Sequence, residues 1–445
     1  MIWAKPHIIY TTSITFLCYT FINYSILDVL MKESLFDSTL ACLYILKLVI
    51  KMNNNKFDKK IVNGRKVISL DKDTLEKYKS LITTISNQYG IVNTSRNSSV
   101  ERVIRALTNG LYINNFPMMN ELPVAVIRGD IKDFFPSIKK QILLKKINSE
   151  GMLGSKDYFL LKDILLDPNF EGLPLGVPVS SALASLYLKK FDIQIKQTFS
   201  PLLYIRYVDD FIMVFPTSRE KIKLSAIYDQ INDLLNPLNL ELSSSKFQIS
   251  FFSAAKNEAK NLSFDFLGYH FTSLRNTNYP KIYTLEIQVQ KAKVQKLQQR
   301  IRNIFFKIKQ SDKAYTVKLY TCLFKLRNVF WGITTVGTNG KIQYSGIPNS
   351  YSLMNNTSSL NKLIKTTYYE IMHSQFISRD KFLLRSLLLP YVESDLDVPK
   401  FKYYNYLRLS ISKLDDMVKA IGYTYYGSKK RETYIRYLFI NLYKT

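Results

Sequence analysis

The chain has 445 residues, 47% hydrophobic and 13% aromatic, enough for two or three domains with real cores and unlike a disordered protein. Lys and Arg outnumber Asp and Glu 62 to 35, and the resulting formal charge of +27 favours a polyanion such as a phosphate backbone as partner. Three scattered cysteines, no C-x-x-C and only three histidines argue against a structural zinc site and fit a reducing compartment, read here as the cytoplasm.

Residues 6–27 contain no Lys, Arg, Asp or Glu and are long enough to cross a bilayer, but Thr11, Thr12, Ser13, Thr20, Asn23 and Ser25 dilute them. Buried helices are the favoured reading of this stretch and of the apolar segment at 36–50. A membrane anchor and a start codon assigned too far upstream stay open. Residues 51–66 are polar, basic and turn-rich, so 1–60 is expected to be an apolar extension with its linker.

Helical spacing over 70–110 (Leu75, Tyr78, Leu81, Ile82; Val100, Val103, Ile104, Leu107) predicts helices. From 122 strands are expected: VAVIRGD is an apolar run closing on Asp130. Residues 139–165 read as helical, a Gly/Pro loop follows, and a small-residue helix is expected from Ser180 to about Phe191. LLYIRYV and FIMVF flank Asp209 and Asp210 as two apolar strands around an acidic tip, the pattern of a hairpin. A helix over 219–238, strands over 247–271 and a helical region from about 284 complete the reading. In that last region Val294, Leu297, Ile301, Ile304, Phe305 and Ile308 share one face. The sum is an α+β fold, with helices packed on an antiparallel sheet.

An adjacent pair of acids is weak by itself; Asp415–Asp416 is another, expected in a solvated setting. The apolar strands around Asp209 and Asp210 change the weight, because charges brought toward a core need a metal or basic partners. Asp130, ending a strand, is the natural third acid, whereas Asp133 sits in the next turn and is expected to cap or face solvent. Clustered carboxylates with open positions suit two divalent ions and phosphoryl transfer.

RYVDDFIMVF resembles the Y-x-D-D hairpin of reverse transcriptases, RGDIKDFFPSI their first palm motif, and GLPLGVPVSSALASLYL their glycine-rich loop and helix. The three occur in family order, with Asp209 79 positions after Asp130. Lys246 in LSSSKFQIS is similar to the fourth motif and FDFLGYHF to the primer grip, Phe266, Leu267 and Gly268. The resemblance covers about 120–275. It implies a right-hand polymerase with an antiparallel-sheet palm, helical fingers and a helical thumb and C-terminal region. Fingers and palm are expected over 61–280, and the thumb with a nucleic-acid-binding region over 281–445.

By the same resemblance Asp130, Asp209, Asp210 and the Ile131 carbonyl would hold two Mg²⁺ ions, with Mn²⁺ as a substitute. Phe135 would be the steric gate against a ribose 2′-hydroxyl, unless it or Phe134 is plain core; Gly176 and Pro178 would shape the nucleotide pocket, and Lys246 would meet the departing pyrophosphate. The implied partners are dNTPs, an RNA template with primer or a noncoding RNA, and a partner protein or second copy. Arg96, Arg102 and Arg105 are candidates for holding the triphosphate. Leu175 stands where intron-encoded and retron enzymes usually carry Gln, and no R-x-x-x-x-P pattern is found upstream. Both departures look more like bacterial antiphage reverse transcriptases. Two other readings remain: a group II intron maturase, and an RNA-binding scaffold with a vestigial polymerase site.

Overall fold

A computed structural model describes residues 58–444, apart from 63–64, 71, 93, 114, 168–169, 218–222, 255–260, 338–339 and 393–400. The apolar stretches at 6–27 and 36–50 therefore lie outside the described residues. The chain divides into two compact units, a smaller one reaching to Lys79 with Leu175–Val177, and a larger one of Ser80–Pro174 with Pro178–Thr445.

In the smaller unit β1 (Asp58–Val62) and β2 (Arg65–Ser69) form an antiparallel hairpin, and the Ile68 N–H donates to the Leu175 carbonyl at 2.8 Å. Helix α1 (Lys72–Gln88) runs along the chain from this unit into the next.

The larger unit begins with α2 (Arg96–Leu107), whose first turn is capped by Ser95 accepting the Ser98 N–H, and which buries the expected Val100, Val103 and Leu107. Strands β3 (Thr108–Ile113) and β4 (Phe116–Met119) precede β5 (Val124–Asp130), so strands start earlier than residue 122. After a one-turn helix at Phe134–Ser137, the stretch 139–165 splits into α3 (Lys140–Glu150) and α4 (Ser155–Leu165). Gly151 causes the split, ending α3 in the left-handed conformation. Helix α5 (Pro178–Tyr187) starts on a proline, suited to a first helical position, and is followed by α6 (Lys189–Phe199). Strands β6 (Leu203–Tyr207) and β7 (Asp210–Phe215), α7 (Leu224–Leu235) and β8 (Gln248–Phe252) follow.

These strands make the sheet that carries the acids, in the order β6–β7–β5–β8 with every pairing antiparallel. β5 is central and buried along nearly its whole length, which is why its sequence is a continuous apolar run rather than an alternating one. Val124, Val126, Ile212 and Val214 join the main core with the inner face of α2.

A second antiparallel sheet contains β9 (Ser263–Phe266), β10 (Tyr269–Arg275) and β11 (Tyr283–Val289) in the order β3–β4–β11–β10–β9. β11 corrects the expectation that the chain turns helical at 284. YTLEIQV buries its first three residues and then alternates from Leu285 to Val289, a strand pattern too short to stand out beside the helix that follows it. That helix, α8 (Lys291–Gln310), buries Val294, Ile301, Ile304, Phe305 and Ile308 on one face as its spacing requires. Each such buried side chain contributes roughly 1.5–3 kcal/mol. The main core runs on from α8 into α9 (Tyr315–Phe330).

The C-terminal region is not helical throughout. β12 (Gly332–Val336) pairs antiparallel with β13 (Ile342–Ser345), and α10 (Asn361–Met372) and α11 (Ser378–Arg385) follow in the chain. β14 (Tyr403–Asn405) then returns to pair with β12 in parallel. Helices α12 (Ile411–Ala420) and α13 (Arg431–Lys444) close a separate core with Phe324, Ile333 and Tyr406. Asp415 there pairs with Lys419 at 2.7 Å one helical turn on, the solvated setting expected of the Asp415–Asp416 pair. Among the described residues no helix is long and apolar enough to cross a membrane.

Candidate active site

Asp130 is the last residue of β5 and Asp210 the first of β7, and the two are direct cross-strand partners. Partners in an antiparallel pair project from the same face, so the pairing register alone sets these two carboxylates side by side. Asp209 sits in the β6–β7 turn, and its carbonyl accepts the Ile131 N–H at 3.1 Å, tying the turn to the end of β5. The opposite side of β5's end is also fixed: Ser243 N–H donates to the Asp130 carbonyl at 2.8 Å, and Ile131 bridges to Leu242. The three expected acids are thus brought to one end of one sheet.

A turn that places two consecutive acids at a strand end needs an unusual backbone. Val208 supplies it with a φ of +62°, a left-handed conformation that a β-branched residue adopts only under constraint. The constraint is Arg206. Its Nη1 donates to the Val208 carbonyl at 2.8 Å, while Nε and Nη2 grip the two oxygens of Asp192 at 2.8 and 2.7 Å. The Tyr204 hydroxyl donates to the same carboxylate at 2.6 Å. Burial works against the Arg206 charge, but the Asp192 carboxylate more than offsets it and holds the guanidinium firmly protonated. Burial and the same carboxylate push the Tyr204 phenol well up. Sequence reasoning gave Arg206 no role; its place two residues before the turn was the available signal.

Gly129 is a second position the sequence reading passed over. It pairs with Phe211, and a Cβ built on it would lie 2.2 Å from the Phe211 ring. Only a glycine lets that fully buried ring lie across β5 one residue before Asp130.

The electrostatics of the cluster are those of crowded negative charge with basic neighbours. Burial, and then the Asp130 and Asp210 charges, hold the Asp209 carboxyl above its ordinary range, against a backbone hydrogen bond and Lys246 that act to lower it. Lys246 donates to Asp130 Oδ1 at 2.7 Å. Arg128, two residues before Asp130, donates to Asp210 Oδ1 at 3.0 Å. Among the described residues no group of three or more acidic, histidine or cysteine side chains is placed to hold a metal ion. The donor set fits Mg²⁺ nonetheless. It offers hard carboxylate oxygens only, the donors Mg²⁺ takes, and the Asp130 and Asp210 charges add to an Asp209 carboxyl that burial already holds up.

Phe134 is core, 2% exposed, while Phe135 beside it is half-buried with ring centroids 5.5 Å apart, which resolves which of the pair is left available. The Phe135 carbonyl accepts the Leu173 N–H at 2.9 Å, and Gly172 packs so closely that a Cβ would meet that carbonyl at 2.1 Å. Asp133 is exposed in the left-handed conformation and makes no side-chain cap, so of its two expected roles only the solvated one holds. Gly176 lies in the stretch grouped with the smaller unit, with a φ of +87°, and Pro178 opens α5.

Leu267 and Gly268 form the β9–β10 turn with φ values of +47° and +82°, the all-positive signature of a tight two-residue hairpin, and Phe266 is fully buried behind it. Arg96 is engaged there. Its Nε donates to the Leu267 carbonyl at 2.7 Å, it also bonds the Ser350 carbonyl, and its guanidinium lies 4.8 Å from the Tyr269 ring and 5.1 Å from that of Tyr351. This residue staples the hairpin turn, which leaves its guanidinium spoken for. Arg102 and Arg105 are exposed on α2.

An antiparallel sheet with an acid-tipped hairpin beside a strand ending in a third acid is the palm of a polynucleotide polymerase. Residues 63–271 match the family model described as "Reverse transcriptase (RNA-dependent DNA polymerase)". Among solved structures it is similar to apo telomerase from Candida tropicalis, at 10% identity and a TM-score of 0.37 over 83% of this chain and 56% of that one. It is also similar to telomerase from Candida albicans in complex with a TWJ fragment of telomeric RNA, at 14% identity and a TM-score of 0.32 over 84% and 54%. The chain spans little more than half the length of those two telomerases. Likenesses this shallow leave the family match as the comparison that bears on the chain.

Proposed function

We propose that the protein is an RNA-directed DNA polymerase that adds dNTPs to a 3′-hydroxyl. The observation carrying this reading is the pairing of Asp130 with Asp210 across β5 and β7, with Asp209 in the turn between β6 and β7. Two Mg²⁺ ions bound by Asp130, Asp209, Asp210 and the Ile131 carbonyl would activate the 3′-hydroxyl and neutralise charge on the leaving pyrophosphate. The chain's own residues do the rest. β5 and β7 fix the carboxylates in register, and Arg206 holds the turn. Lys246, with its side chain 54% exposed and its ammonium on Asp130, is free to turn toward a departing pyrophosphate. Phe135 excludes a ribose 2′-hydroxyl, and the Phe266–Gly268 turn supports the primer end.

We further propose that the enzyme works in antiphage defence with an associated noncoding RNA or partner protein. The support is Leu175 in the glycine-rich loop, together with the absence of a fingers pattern of the intron type from the sequence.

The test is extension of a DNA primer on an RNA template by purified protein with Mg²⁺, comparing dNTPs with NTPs. The expected result is dNTP incorporation in the wild type and gained NTP use in Phe135→Ala. A folded wild type that is silent on RNA, on DNA and without template would overturn the reading.

A further inference from the structure

Helix α10 turns Leu363, Thr367 and Ile371 inward, which leaves the neighbours Tyr368 and Tyr369 outside at 46% and 59% exposed. Helix α11 likewise buries Leu384 and leaves Phe382 67% exposed. Arg385 joins the two helices at the surface. Its Nη1 donates to the Tyr368 hydroxyl at 3.4 Å, and its guanidinium carbon lies 5.8 Å from the ring centroids of both Tyr368 and Phe382. Beside this ring–guanidinium–ring cluster, Tyr369 stacks on His373 at 4.0 Å and 29°. Rings left in water in such a group forgo the gain of burial, and a contiguous exposed patch of this kind marks a surface that something covers.

The chemistry of the patch selects among partners. From Asn361 to Arg385 there are five cations, Lys362, Lys365, Arg379, Lys381 and Arg385, against Glu370 and Asp380. Asp380 is already occupied in accepting the Tyr315 hydroxyl at 2.5 Å. A protein partner with an apolar face would have to desolvate several of those cations without compensation. Flat π faces set among lysines and arginines instead match what an unpaired strand offers, bases to stack and phosphates to neutralise.

We propose that α10 and α11 form a docking platform for unpaired bases of a single-stranded nucleic acid, built on helices and not on the strands that carry Asp130, Asp209 and Asp210. The platform stands whether or not those acids catalyse, since none of its residues belongs to that site.

The experiment is fluorescence anisotropy with the full chain and a labelled single-stranded RNA of mixed sequence, alongside the same sequence as a duplex. The double variant Tyr368→Ser/Phe382→Ser removes two stacking faces and no charge. It is expected to bind the single strand about tenfold or more weakly. Its duplex affinity, salt slope, melting temperature and solution mass are expected to match the wild type. Unchanged single-strand affinity, or an equal loss on the duplex, would overturn the proposal. So would a wild-type dimer that the variant converts to a monomer, because a second copy would then be the occupant. Photocrosslinking of the wild type to a 4-thiouridine RNA gives an independent readout. Adducts on Tyr368, Tyr369 or Phe382 support the platform, and a crosslink map that misses α10 and α11 contradicts it.

Discussion

Arg206 donates to the carbonyl of Val208 at 2.8 Å, and through that one bond a half-buried ion pair with Asp192 governs the backbone that presents Asp209. The turn needs such a brace because Val208 sits at a φ of +62°, a conformation costing on the order of 1–3 kcal/mol. Arg206→Met leaves the half-buried Asp192 with the Tyr204 hydroxyl as its remaining side-chain donor, a loss below the roughly 3–5 kcal/mol of breaking a fully buried pair. Thermal melting of Arg206→Met is expected to show that loss. Nucleotide incorporation, measured where the variant is still folded, is expected to fall further than the folded fraction does. Wild-type incorporation per folded molecule would remove Arg206 from the account of the turn.

Gly129→Ala forces a methyl into the Phe211 ring, 2.2 Å from where its Cβ would stand. Overpacking of this kind costs about 1–3 kcal/mol, read as a lower melting temperature. Adding Phe211→Leu is expected to recover part of that loss, so the two changes are coupled in a double-mutant cycle. Additive effects would mean that the ring is not what excludes a side chain at 129.

Asp209 provides a test in which stability and activity move in opposite directions. Its carboxyl is held above the ordinary 3.8 in the folded state, by burial first and then by Asp130 and Asp210. A raised carboxyl stabilises the fold fully below pH 3.8, and that contribution is lost as pH rises through the folded value. At neutral pH the charged form therefore burdens the metal-free protein. Asp209→Asn is expected to melt higher than wild type in metal-free buffer at pH 7, with the gain shrinking toward pH 4 or on adding Mg²⁺. Melting below wild type under metal-free conditions would contradict the repulsion inferred here.

Lys325 is 4% exposed in α9, and burial, followed by the nearby Lys307, Lys313 and Arg300 charges, brings its ammonium down to about 8 from 10.5. Between those values the unfolded chain holds more protons than the folded one, so stability rises with pH across that window. Lys325→Met is expected to melt roughly a few °C higher than wild type at pH 7, an advantage that fades toward pH 10. A constant difference across the range would mean that Lys325 does not titrate as a buried lysine.

The placement of the three acids was largely readable from sequence, because its determinants are local and periodic. The apolar run into Asp130 and the strands flanking Asp209 and Asp210 set a pairing register, and register put the acids together. What stayed hidden depends on contacts between residues distant in sequence. Arg206 is an unremarkable strand arginine until Asp192, 14 positions earlier, is folded beneath it. Arg96 read as a candidate for the triphosphate, yet it reaches 171 positions along the chain to the Leu267 carbonyl. Strand β11 was missed for a different reason, its short alternation from Leu285 to Val289 running directly into the longer helical period of α8.

Single-nucleotide incorporation across a Mg²⁺ titration, comparing wild type with Asp130→Asn, Asp209→Asn and Asp210→Asn, bears most directly on the claim that these carboxylates form a polymerase centre. Mg²⁺-dependent incorporation by the wild type is expected, with a loss of at least about 100-fold, some 2.7 kcal/mol, in each folded variant. Incorporation by any of the three at the wild-type rate would contradict it.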